Sequence, residues 1–142
     1  MCFFKKKVVL GKTPPVSSKE ISTTDKQTLL SNIFPAIPQF ITYSHILAHY
    51  DDIALFLAQD QTNKIPYVFP DYVCSHFAFR LMGEFSIPLW SEITFGIVWT
   101  NKHALNCILT DDLEFYFVEP QTDEIYKILP PEYGTSIRFI MI

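Results

Sequence analysis

Residues 93–128 read ITFGIVWTNKHALNCILTDDLEFYFVEPQTDEIYKI. Ile93–Trp99, His103–Leu109, Leu113–Glu119 and Glu124–Ile128 are rich in β-branched and aromatic residues, as is Ser136–Ile142 further on, and each run predicts a strand. Asn101-Lys102, Asp111-Asp112 and Gln121-Thr122-Asp123 are the polar breaks between the first four. Breaks this short predict antiparallel neighbours, because a parallel connection needs about a dozen residues.

Upstream of Pro88 the apolar spacing is helical. Thr24 and Gln27 stand at capping-box spacing ahead of Leu29, Leu30 and Ile33, and Pro35 and Pro38 end that helix. Ile46, Tyr50, Ile53, Ala54 and Leu57 share one stripe and predict a second helix over 44–58. Asp71 is the expected cap of a third, in which Val73, Phe77 and Leu81 form one stripe, Cys74, Ala78 and Met82 the next, and Gly83 the exit. Helices first and a run of strands after them is an α+β arrangement, with a central Cys-bearing helix packed on a C-terminal antiparallel sheet. Residues 1–22 lack either period and read as a flexible basic arm, leaving 23–142 as a single domain.

The 142 residues include thirteen Phe, seven Tyr and two Trp, which excludes a disordered chain. Residues 1–26 hold six lysines against Glu20 and Asp25, net +4; the remainder holds five basic residues against thirteen carboxylates, net −8. An acidic body repels phosphate backbones, so nucleic acid is not an expected partner. No apolar run reaches the roughly 18–20 residues of a membrane span, and Val8, Val9 and Leu10 are too few for a secretory core. Cys2, Cys74 and Cys107 have no zinc spacing, and reduced thiols in the cytoplasm are the expectation.

Three residues have the types an acyl-transfer site uses. Near a helix N-terminus Cys74 gains from the dipole and free amides, which favour the nucleophilic thiolate. His103 at the start of one strand is the candidate base, and Glu119 at the end of the next is its candidate orienting partner. A Thr110-Asp111-Asp112 loop would set 103 opposite 119 on one face, whereas a two-residue Asp111-Asp112 turn would pair 103 with 120 and turn Glu119 to the other face unless a bulge restored it. Asn106, the rival third member, lies three residues from His103 and points to the other face. His45 and His49 share a helical face with Asp52, the pattern of a metal-dependent hydrolase without its HExxH glutamate, and His76 reads as a packed or hydrogen-bonding histidine.

Tyr72-Val73-Cys74-Ser75-His76-Phe77-Ala78, His103-Ala104-Leu105-Asn106 and Val118-Glu119-Pro120-Gln121-Thr122 resemble the papain-like cysteine peptidases. The resemblance is to the papain-like domain at the C-terminus of a mushroom agglutinin and to small phage and prokaryotic relatives. It implies a papain-like fold and a peptidase, amidase or transamidase with Cys74 as nucleophile, His103 as base and Glu119 as its partner. The implied substrate is a protein, a peptide or a peptidoglycan stem peptide, with no cofactor and no metal assigned. No lectin segment is read here, so sugar binding is not among the expectations. The alternative is a non-catalytic binding or structural accessory protein, of viral or phage type, that retains the fold.

Overall fold

A computed structural model describes residues 12–142; the expectations for Cys2 and for the lysines at 5–7 lie outside the described residues. The elements in chain order are α1 (Thr23–Ile33), β1 (Gln39–Phe40), α2 (Tyr50–Gln59), α3 (Cys74–Phe85), β2 (Phe95–Thr100), β3 (Ala104–Leu109), β4 (Phe115–Val118), β5 (Ile125–Tyr126) and β6 (Ile137–Met141). The class is α+β, as the order of periodicities implies. The strands form one six-stranded sheet in the order β1-β6-β2-β3-β4-β5.

The sheet is mixed rather than antiparallel throughout. β6 returns to pair antiparallel with β2, and β1 joins its far side in parallel, Gln39 opposite Ile140. A two-residue strand carries no period, so β1 has no signature in the sequence.

Alternation along β3 assigns its side chains to two cores. Leu105, Cys107 and Leu109 face a layer with Leu30 of α1, Val98, Phe117 and Ile140. Ile108 faces Phe56, Leu57, Leu81, Phe85 and Trp90, with Phe85 stacked between Phe56 and Phe95 at centroid distances of 3.8 and 3.7 Å. Such aromatic contacts add about 0.5–1.5 kcal/mol each beyond their buried area. Asn106, on this second face, is a structural tie: its Nδ2 donates to Ala78 O (3.0 Å) and Gly96 O (3.1 Å), joining α3 to the sheet.

Three helix starts differ from expectation, each for a local reason. Ser22, not Thr24, caps α1 by accepting from Asp25 N at 3.0 Å. α2 begins at Tyr50 rather than 44, because residues 45–48 are extended and bridge the sheet, Ile46 to Ile93 and Ala48 to Thr110. α3 begins at Cys74 because Val68 and Tyr72 exchange backbone hydrogen bonds in a tight turn, which holds Asp71 outside the helix.

From residue 12 the chain lies against α2. Thr13 N donates to Gln59 Oε1 at 2.9 Å, and Val16 N, Ser17 N and the Ser17 hydroxyl all donate to Asp52 Oδ2 at 2.9, 2.8 and 2.5 Å. Lys12 reaches Asp60 (3.3 Å) over the Phe56 ring.

Candidate functional site

β3 and β4 pair Asn106 with Val118 and Leu109 with Phe115, so the connecting loop holds five residues, 110–114. The register is therefore two residues away from the one that sets 103 directly opposite 119. A shift of two leaves side-chain parity unchanged, and His103 and Glu119 still meet: Nε2 lies 2.6 Å from Glu119 Oε2. Glu119 is 1 % exposed, and its other oxygen accepts from Gln121 N at 3.0 Å. The carboxylate thus has a hydrogen bond at each oxygen, the condition under which a buried charge is tolerated.

Thr100 builds the turn that carries His103. Its Oγ1 accepts from Lys102 N (3.1 Å) and His103 N (2.9 Å) and donates to Tyr133 O (2.5 Å). Asn101 Oδ1 accepts from Thr135 N and Ser136 N, clamping the 133–136 segment to the same turn. Gly134 allows this approach: its φ is +129°, and a Cβ there would stand 2.5 Å from Thr100 Oγ1. The result is Tyr133 lying flat on His103, centroids 4.8 Å apart and planes 17° apart. Burial, then the Glu119 charge, pushes the Tyr133 phenol above its ordinary range. Nothing in the periodicity marks Tyr133; Gly134 beside an aromatic was the one available signal.

Cys74 is the first residue of α3, half-buried, and packs on Ala78, Ile97 and Ala104, the last being the neighbour of His103 in the chain. Among the described residues no hydrogen bond joins Cys74 to His103. On the same side Trp99 tilts against Phe79 of α3 (6.0 Å) and Phe139 of β6 (5.6 Å), with Phe79 52 % exposed. His76 accepts from Val73 N at 3.2 Å and so helps to cap α3.

The other histidines are placed apart. His45 lies in the extended bridge segment, and His49 precedes α2 with Nδ1 2.9 Å from Asp111 Oδ2, a hydrogen bond that raises its pKa. Asp52 is occupied by residues 16 and 17. His45, His49 and Asp52 therefore do not form the metal site of a hydrolase, and among the described residues no three His, Cys, Asp or Glu side chains stand together to hold a metal. No helix among the described residues is long and apolar enough to cross a membrane.

No protein-family model matches the chain, and no curated protein matches it. Solved structures with the same fold include two Polyporus squamosus lectin chains. One is described as a PSL1a–E64 complex, with TM-score 0.70, 15 % identity and coverage of 87 % of this chain. The other is bound to the human-type influenza-binding epitope Neu5Acα2-6Galβ1-4GlcNAc, with TM-score 0.69, 15 % identity and the same coverage. The chain spans about half the length of each, 50 % and 49 %. At this identity the likeness carries the fold.

These neighbours correct the peptidase reading. Both are lectins, neither is described as a peptidase, and the thiol-protease activity and peptide substrate that the resemblance implied have no support in them.

Proposed function

We propose that the chain is a non-catalytic binding module, with Cys74 and His103 at one wall of its site, buried Glu119 holding His103 from behind, and a glycan as the ligand class. The observation that carries this reading is the stack of His103 on Tyr133, fixed by Glu119 at 2.6 Å. With Nε2 engaged by the carboxylate, Nδ1 makes no hydrogen bond among the described residues and is left for a ligand hydroxyl. Trp99 and Phe79 supply apolar ring faces on the adjoining surface, and aromatic side chains combined with a few fixed polar groups are what binding sites commonly present. The choice of a glycan is supported by the lectin neighbours, one of which is bound to a sialylated trisaccharide. In this reading Cys74 contributes packing beside Ala104 and no bond-making chemistry.

The test is titration of Neu5Acα2-6Galβ1-4GlcNAc, followed by tryptophan fluorescence, on the wild-type chain and on His103→Ala and Tyr133→Ala. The expected outcome is saturable binding that each substitution weakens by about tenfold, the scale of one lost hydrogen bond or stacking contact in a binding site. Binding left unchanged by both substitutions would move the site elsewhere, and no binding to any member of a glycan panel would remove the ligand class.

A further inference from the structure

A hollow of about 300 Å³ lies between the last turn of α3, the segment 42–45 and the chain that leads into β2. Met82, Phe85, Trp90, Ile93 and Phe95 make its apolar wall. Apart from Met82 these are buried, while Tyr43, 92 % exposed, stands on the solvent side. A volume of this size is at the small end of ligand pockets.

The wall holds a polar group with no partner. Trp90 is 2 % exposed, and its indole is the one buried side-chain nitrogen among the described residues that makes no hydrogen bond. An indole N–H donates and cannot accept, so it calls for an acceptor atom. The rings of Phe56 and Phe85 stand at 65° and 90° to the indole, and a ring face is a second-order substitute for an oxygen. Three hydroxyls of the lining are already engaged: Thr42 Oγ1 and Ser44 Oγ share a hydrogen bond at 2.9 Å, and Ser86 Oγ donates to Met82 O at 2.9 Å.

Charge narrows the ligand further. Glu92, which is exposed, lines the hollow, and no Lys or Arg does. The buried Lys26 ammonium is taken up by Thr42 O and Ser44 O. A carboxylate ligand therefore meets a like charge, and an ammonium offers the indole no acceptor.

We propose that this hollow binds a small neutral aryl carbonyl compound. Its oxygen accepts from Trp90 Nε1, and its ring packs on Phe85 and Met82. The inference does not depend on the glycan reading, because no residue named for the glycan site lines this hollow.

The experiment is titration of the full chain with acetophenone and, separately, with isopropylbenzene, which has the same outline and no acceptor, followed by the indole N–H signals of Trp90 and Trp99. Acetophenone is expected to move the Trp90 signal saturably downfield, as a newly bonded N–H does, and to leave Trp99 in place. Isopropylbenzene binds about fivefold more weakly, the scale of one neutral hydrogen bond, and does not draw the Trp90 signal downfield. Benzoate binds more weakly than acetophenone, and Glu92→Gln, at an exposed position, narrows that difference by about two- to threefold. Trp90→Phe keeps an aromatic ring in the core and abolishes the preference for acetophenone over isopropylbenzene. Should that variant not fold, the two probes on the wild type decide. Equal affinity for acetophenone and isopropylbenzene, an unmoved Trp90 signal, or shifts confined to other surfaces would each overturn the proposal.

Discussion

Lys26 is fully buried in α1, and its ammonium meets only neutral oxygens: Thr42 O at 2.9 Å, Ser44 O at 2.7 Å and Ser44 Oγ at 3.1 Å. Burial lowers its pKa to about 8. The unfolded chain holds the same proton up to about 10.4. Between the two values the unfolded state binds more protons, so stability rises with pH across that window and is lower and flat beneath it. The expected result is a urea midpoint that climbs from about pH 8 to about pH 9.5 in the wild type and falls in Lys26→Met, where only the buried Cys107 thiol, pushed up from its ordinary range by burial, is left to set the slope. A midpoint that falls over this range in the wild type would contradict the burial of a protonated Lys26. Lysines are so seldom buried that the sequence offers no reason to place this one in the core. His103 and Glu119 were legible because same-face placement depends on parity alone, which a loop two residues longer preserves. Tyr133 was not, because only tertiary folding brings it over the ring.

At the scale of elements, the five strands after Pro88 were readable as alternating β-branched and aromatic runs between polar breaks. The short breaks also placed β2 to β5 as antiparallel neighbours, but not the position of β6. β6 inserts between β1 and β2, and that depends on a close approach at Gly96 rather than on any pattern. A Cβ at Gly96 would run into Met141 O and stand 2.8 Å from Ile142 Cβ. Gly96→Ala should therefore force β2 and the end of β6 apart and cost about 1–3 kcal/mol, read as a lower urea midpoint. An unchanged midpoint would mean that the β2–β6 contact is looser than described. The start of α2 was misread for a related reason: Ile46 lies on the helical stripe, but pairing with Ile93 outweighs local helix propensity.

Across the whole molecule, the sheet is covered by α1 on one face and by α2 and α3 on the other, and residues 12–21 close over α2. Asp52 is the anchor of that closure, with three donors on one oxygen and 6 % exposure. Asp52→Ala should cost about 2 kcal/mol, since hydrogen bonds to a charged acceptor are the stronger kind. It should also accelerate hydrogen exchange at the Val16 and Ser17 amides while leaving β3 protected. Equal acceleration throughout the sheet would mean that residues 12–21 are integral to the main core. The His103 corner sits at one end of this assembly, on the turn between β2 and β3, where the 133–136 segment is fastened to it. On the proposed reading this corner binds a ligand and does not catalyse. The most direct measurement is amide shift mapping of the wild-type and Cys74→Ala chains with Neu5Acα2-6Galβ1-4GlcNAc, run beside an assay for amide cleavage. The expected result is saturable shifts at Trp99, His103 and Tyr133 that are the same in both chains, and no turnover. Amide cleavage by the wild type that disappears in Cys74→Ala would contradict it.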